Sequence, residues 1–133
     1  MNGKVLIISS GTAFMVATIE QNLKKAGIDV YKSEPDPDYI EMYVGNIDTI
    51  LLFAGDYIGN ASELLEQIGK ICEEEQIYLC VIGYPGEIKT IEELIPVYLI
   101  SCEFTRPFEM KNVIKNIVSL TGGIIAEDEP KKK

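Results

Sequence analysis

The sequence predicts an α/β fold in which five parallel strands form one sheet with helices on both faces. Five short apolar runs alternate with segments whose apolar residues recur at helical spacing, in the order βαβαβαβαβα. The runs lack polar alternation, which is typical of strands buried on both faces. Right-handed crossovers between parallel strands then place helices on both faces of a doubly wound sheet. A length of 133 residues suits one such domain.

The strands are predicted at residues 4–9, 28–32, 49–54 and 77–82 and within 98–105. The first helix is predicted at 12–26 because its apolar residues form one stripe and a glycine follows. A weak helix is predicted near 40–44, and a strongly amphipathic one at 61–75 with Asn60 as its cap. Tyr84-Pro-Gly86 is interpreted as a turn before a short helix around 88–95. Pro107 is predicted to open the last helix, which Gly122-Gly123 ends.

The chain divides into one domain, residues 1–123, and a charged segment at 124–133. That segment has few apolar anchors and is expected to be a flexible tail or a linker.

Composition excludes several classes of function. Twelve Lys and Arg stand against 21 Asp and Glu, for a net charge of −9, and the chain has no histidine. A nucleic-acid-binding module needs a basic face, so we expect no nucleic-acid partner. Without histidine the chain also lacks the most usual general base and zinc ligand, and we expect neither an enzyme nor a cofactor.

Cysteine usage and hydropathy indicate the compartment. Cys72, Cys80 and Cys102 share no CxxC spacing and lie in apolar stretches, which favours buried free thiols. No signal peptide and no run of about 20 apolar residues is visible, so we expect a soluble cytoplasmic protein with no membrane partner.

In open parallel sheets the functional crevice lies beyond the carboxyl ends of the strands. The candidate site residues at these ends are Ser9, Ser10, Phe53, Asp56, Gly83, Tyr84, Arg106 and Pro107. Arg106 precedes a proline and is therefore predicted to be extended. It could clamp an anion or form an ion pair with Asp56 or Glu103, and we favour the ion pair.

Three segments resemble the receiver (CheY-like) domain of bacterial response regulators. Thr105-Arg-Pro-Phe108 and the helix after it resemble the family's Thr-Lys-Pro-Phe element. Residues 48–53 resemble the strand that ends in the phosphorylated aspartate, and 5–10 resemble the strand that ends in an acidic pair. The resemblance spans residues 4–120 and implies a flavodoxin-like sheet with strand order 2-1-3-4-5.

The resemblance also implies that the family's phosphorylation chemistry is altered here. In receivers the acidic pair holds Mg²⁺ and the aspartate accepts the phosphoryl group. Ser9 and Ser10 stand at the acidic pair, and Phe53 stands at the acceptor. No metal site and no catalytic residue is therefore expected.

The remaining family positions are altered as well. The switch hydroxyl falls on Gly83 or Tyr84, the switch aromatic on Glu103, and the lysine on Arg106. We therefore interpret the chain as a pseudo-receiver, a non-catalytic module of two-component signalling. The resemblance implies a protein partner or a homodimer contact through the fourth and fifth strand–helix units, residues 88–98 and 110–120.

Three alternatives remain open. A phosphate or nucleotide sensor could use Ser9, Ser10, Thr12 and Arg106 at the start of the first helix. Residues 6–19 are also similar to the start of sugar phosphotransferase IIB domains, although a serine replaces their phosphorylated cysteine. A residual phosphoacceptor at Asp56 or Asp36 is the third alternative.

Overall fold

The predicted alternation of strands and helices is confirmed in the computed structural model, which describes residues 3–10, 13–54 and 62–122, with Ala13 as backbone only. The strands are β1 (Lys4–Ile8), β2 (Asp29–Ser33), β3 (Thr49–Phe53), β4 (Tyr78–Gly83) and β5 (Ile100–Thr105). The helices are α1 (Ala13–Lys25), α2 (Pro37–Tyr43), α3 (Ser62–Glu75), α4 (Pro85–Leu94) and α5 (Met110–Thr121). Single 3₁₀ turns at Val44–Asn46 and Val97–Leu99 precede β3 and β5.

The five strands form one parallel sheet in the order β2-β1-β3-β4-β5, as predicted. In this register Ile8 lies opposite Leu52, and Phe53 lies opposite Ile82. Gly83 lies opposite Thr105 in the same way. The strands therefore end together, and the segments that follow them meet at one edge of the sheet.

Two apolar layers cover the sheet, because successive side chains of a strand point to opposite faces. Leu51 and Phe53 of β3 pack in the layer under α1 and α5. Ile50 and Leu52 pack in the layer under α2, α3 and α4. All five residues of β3 are buried, as expected of a central strand. The predicted apolar stripe of α1 is also buried: Val16, Ile19, Leu23 and Ala26.

Two boundaries differ from the sequence prediction at the carboxyl ends of β4 and β5. Tyr84-Pro-Gly86 is not a separate turn, because α4 already begins at Pro85. Proline suits a first helical position, and the Glu87 carboxylate accepts a hydrogen bond from the Tyr84 N–H at 2.9 Å. Pro107 does not open α5; the Arg106–Pro107 peptide is cis, and α5 begins at Met110 with Glu109 as its cap.

The three cysteines are free thiols, as predicted. Cys72 and Cys80 are buried, whereas Cys102 is only half-buried because β5 is an edge strand. Asp56, the predicted cap Asn60, Thr12 and the segment at 124–133 lie outside the described residues. Within the described ranges, no helix has both the length and the apolar character needed to cross a membrane.

Candidate functional site

The ends of β1, β3, β4 and β5 bring seven of the eight predicted site residues, all except Asp56, to one edge of the sheet. Ser9 follows β1, is half-buried, and donates its backbone N–H to the Ser33 carbonyl at 3.2 Å. Ser10 is exposed. Phe53 and Gly83 are the last residues of β3 and β4, and Arg106 follows β5.

Phe53 lies at the centre of this edge and is closed off from solvent. Its side chain is only 3% exposed and packs in the apolar layer under α1 and α5, which also contains Ile82 and Phe104. The next residue, Ala54, continues the pairing by donating its N–H to the Ile82 carbonyl at 2.8 Å. Position 53 therefore carries an apolar side chain inside the core.

Gly83 leaves no room for a side chain at the end of β4. A Cβ atom added there would lie 2.9 Å from the Ala54 Cβ and 3.1 Å from the Glu87 Oε1. Both neighbours are held in place, Ala54 by its bond to β4 and Glu87 by its bond to the Tyr84 N–H. A hydroxyl-bearing residue at position 83 would require this backbone to move.

Arg106 is fixed against β4 and α1. Its N–H donates to the Gly83 carbonyl at 2.9 Å, and its guanidinium carbon lies 5.1 Å from the centre of the Tyr84 ring. Its Nη2 donates to the Met15 Sδ at 3.6 Å. The sequence placed Tyr84 and Arg106 at the same edge, and the structure brings them into contact.

The predicted ion pair between Arg106 and Glu103 is wrong. The Glu103 carboxyl interacts with Glu92 of α4, whereas the Arg106 guanidinium contacts Met15 of α1. Because α4 and α1 pack on opposite faces of the sheet, the two side chains diverge. The hydrogen bond to Glu92, together with burial, raises the pKa of Glu103 to about 7. The other predicted partner, Asp56, lies outside the described residues.

A mostly apolar groove of about 450 Å³ runs beside Arg106. It is lined by Phe14, Met15, Thr18, Tyr84, Arg106, Pro107, Phe108 and Met110. Sequence reasoning missed Phe14, which is 87% exposed. The available signal was its position outside the inward stripe of α1, which leaves its ring on the outer face of the helix.

Ligands for a metal ion do not converge in the part of the chain that the structure describes. There, no three side chains among histidine, cysteine, aspartate and glutamate lie close enough to hold one.

No protein-family model and no curated protein sequence matches the chain. Solved structures do. The signal receiver domain of an HD domain-containing protein from Pseudomonas fluorescens matches with a TM-score of 0.69 at 12% identity, over 90% of this chain and 94% of that one. The chemotaxis response regulator CheY4 of Vibrio cholerae matches with a TM-score of 0.68 at 13% identity, over 90% of this chain and 99% of that one.

The receiver domain of a two-component response regulator from Bacteroides fragilis matches with a TM-score of 0.70 at 11% identity, over 90% of this chain and 96% of that one. The chain has the receiver-domain fold. The receiver-like sheet order predicted from the sequence is thereby confirmed. At these identities the likeness is one of fold, so the function must be argued from the residues at the ends of the receiver-like strands.

Proposed function

We propose that this chain is a receiver-like signalling module that acts by binding another protein and is not phosphorylated at the position receivers use. The observation that carries the proposal is Phe53. It ends β3, where the family resemblance puts the phosphoacceptor, and its buried phenyl ring has no atom that can accept a phosphoryl group.

The residues around Phe53 support the same proposal. Mg²⁺ prefers carboxylate oxygens, and the positions that resemble the acidic pair are Ser9 and Ser10. The switch hydroxyl falls either on Gly83, where the neighbouring Ala54 leaves no room for a side chain, or on Tyr84, whose ring lies against the Arg106 guanidinium. Metal binding and phosphoryl acceptance would each need a different side chain here.

The proposed contact surface comprises α4, the turn Val97–Leu99, β5 and α5. Val97 and Tyr98 are 60% and 76% exposed on this surface. The Tyr98 hydroxyl donates to the Glu73 Oε2 at 3.0 Å, which holds the exposed ring against α3. An ordered aromatic ring offers contact area at a small entropic cost, so Tyr98 suits a binding anchor.

Charge favours a different protein over a second copy. The chain carries a net charge of −9, although the contact surface itself is nearly balanced, with four glutamates against three lysines on α4, β5 and α5. Two copies would bring like charges together, whereas a basic partner would be attracted. We therefore propose a partner protein whose binding surface has basic side chains around an apolar side chain that packs on Tyr98.

Phosphorylation is tested by incubating the full chain with acetyl phosphate and Mg²⁺ and measuring the intact mass. We expect no stable adduct of about 80 Da, the mass of one added phosphoryl group. An adduct lost in Asp56→Asn or Asp36→Asn would contradict the proposal and establish a displaced acceptor. A receiver that carries the usual aspartate is the positive control.

The contact surface is tested with Tyr98→Glu and with Met42→Glu as its matched control. Met42 is 70% exposed on α2, away from the proposed surface. We expect a copurifying protein to be retained by the wild type and by Met42→Glu and lost from Tyr98→Glu. If light scattering shows a dimer that Tyr98→Glu abolishes, the partner at this surface is a second copy of the chain and not a basic protein. Equal retention by all three proteins would contradict the surface.

A second candidate function is binding of a small anion. It is favoured by the groove beside Arg106, because no acidic side chain is among its described lining residues. A thermal-shift panel of phosphate, nucleotides and benzoate tests it. A rise in melting temperature that disappears in Arg106→Ala supports anion binding, and a flat panel contradicts it.

A further inference from the structure

Two of the three cysteines lie directly opposite each other on neighbouring strands. Cys80 of β4 is aligned with Cys102 of β5, although Leu79 is aligned with Ile100. The irregularity leaves Ser101 as an extra residue on β5, and it puts Cys102 opposite Cys80. Both side chains point into the layer under α1 and α5, where Cys80 is fully buried and Cys102 is half-buried.

The two opposed thiols shift each other's pKa in opposite directions. The Cys80 S–H donates to the Cys102 sulfur, which stabilises the Cys102 thiolate and lowers its pKa to about 7. The same bond, with burial, raises the pKa of Cys80, so the shared proton stays on Cys80. Cys102 therefore loses its proton more readily than an ordinary cysteine and forms the thiolate, the form that reacts with oxidants.

Cys72 provides a contrast within the same chain. It lies in the opposite apolar layer, and burial raises its pKa to about 12. Its thiol therefore stays protonated at neutral pH, whereas Cys102 has a lowered pKa and lies opposite Cys80 on the neighbouring strand.

The spacing of the pair permits a disulfide. Neighbouring strands lie about 4.7–4.9 Å apart, and disulfide-bonded cysteines have Cα atoms about 4.4–6.8 Å apart. At this spacing the bond can form by rotation of the two side chains.

We propose that Cys102 and Cys80 form a site of reversible oxidation by hydroperoxides, in which Cys102 reacts first and Cys80 closes a disulfide between β4 and β5. With hydrogen peroxide, the Cys102 thiolate attacks one oxygen, the O–O bond breaks, and the departing hydroxide takes a proton from solvent to become water. The Cys80 sulfur then attacks the Cys102 sulfenic acid. An S–S bond forms, the S–O bond breaks, and the Cys80 proton leaves with the hydroxyl as a second water.

Oxidation of this cysteine pair would let the domain respond to a chemical signal without a metal ion or a phosphoacceptor. The disulfide would join the edge strand to its neighbour within the unit that carries α4 and α5. The proposal rests on the thiols alone and stands whether or not the proposed partner surface is correct.

The test uses the reduced full chain, treated stepwise with hydrogen peroxide. We expect the loss of two titratable thiols and a fall of about 2 Da in intact mass, both reversed by dithiothreitol. Trypsin digestion should then link the peptide at 71–89, which contains Cys72 and Cys80, to the peptide at 90–111, which contains Cys102, and the same link in Cys72→Ala assigns the bond to Cys80. Cys72→Ala should behave like the wild type, and Cys102→Ser should form no disulfide.

A second measurement detects the first step alone. Cys80→Ser keeps a hydroxyl donor beside Cys102 but has no sulfur to form a disulfide, so the Cys102 sulfenic acid should persist in this variant and be labelled by dimedone. Alkylation of Cys102 by iodoacetamide in the wild type should rise with a midpoint near pH 7 and not at about 8.5. A disulfide that joins Cys72 to Cys80, oxygen added to Cys102 of the wild type without a disulfide, or no reaction at all would each overturn the proposal.

Discussion

The guanidinium carbon of Arg106 lies 5.1 Å from the centre of the Tyr84 ring. This contact joins the segment after β5 to the first turn of α4, and the hydrogen bond from Arg106 Nη2 to Met15 Sδ extends it to α1. One cation therefore connects three elements at the edge of the sheet where a receiver carries its reactive groups.

Replacing Arg106 by alanine should reduce the free energy of unfolding by about 1 kcal/mol. The loss comprises the cation–π contact, worth about 0.5–1 kcal/mol at exposed sites, and the packing of the side chain on Met15. Urea denaturation measures it, with Lys111→Ala on the exposed side of α5 as the control. If Arg106→Ala and Lys111→Ala are equally stable, the contact contributes nothing to the fold.

Gly83→Ala should destabilise the protein by about 1–2 kcal/mol, because the added methyl would lie within 2.9 Å of Ala54. Gly86→Ala is the matched control: a Cβ there meets nothing within 4 Å and lies in the first turn of α4. Alanine favours a helix over glycine, so Gly86→Ala should be neutral or more stable by up to about 1 kcal/mol. Equal denaturation midpoints for the two variants would mean that position 83 has room for a side chain.

The sheet could be predicted from the sequence because apolar runs and helical spacing are local signals. The buried stripe of α1 and the end of β3 at Phe53 followed from them directly. The start of α5 did not, because Pro107 is compatible both with a first helical turn and with the extended loop that the structure has.

Contacts at the site depend on which face of the sheet each side chain reaches. Glu103 and Arg106 are three residues apart, so an ion pair between them is reasonable from the sequence. It does not form because Glu103 turns toward α4 and Arg106 toward α1. The alignment of Cys80 with Cys102 could not be predicted from the sequence either, because it depends on an irregularity in the β4–β5 pairing that no residue type indicates.

The pair of Glu103 and Glu92 should make stability depend on pH. The folded pKa of Glu103 is about 7, above its ordinary 4.5, so the folded state binds more protons than the unfolded state between these values. Stability from this group is present below pH 4.5 and is lost as the pH rises to about 7. We expect Glu103→Gln to lack this decline, so the difference in unfolding free energy between wild type and variant should change across pH 4.5–7.

Glu93 of α4 is the control for this measurement because it is exposed. The difference between wild type and Glu93→Gln should stay constant over the same range. If Glu103→Gln gives a constant difference too, the two carboxyl groups do not share a proton.

Phe53→Asp should destabilise the protein by more than about 3 kcal/mol, although it introduces the residue type that the family resemblance implies at this position. Removing a buried phenylalanine side chain costs about 3–5 kcal/mol, and the new carboxyl would be placed in an apolar layer at a site only 3% exposed. Phe53→Leu keeps the position apolar and should cost about 1 kcal/mol. Chemical denaturation of both variants at pH 7 gives the comparison. If Phe53→Asp is as stable as Phe53→Leu, solvent reaches the end of β3 and position 53 is not part of the apolar core.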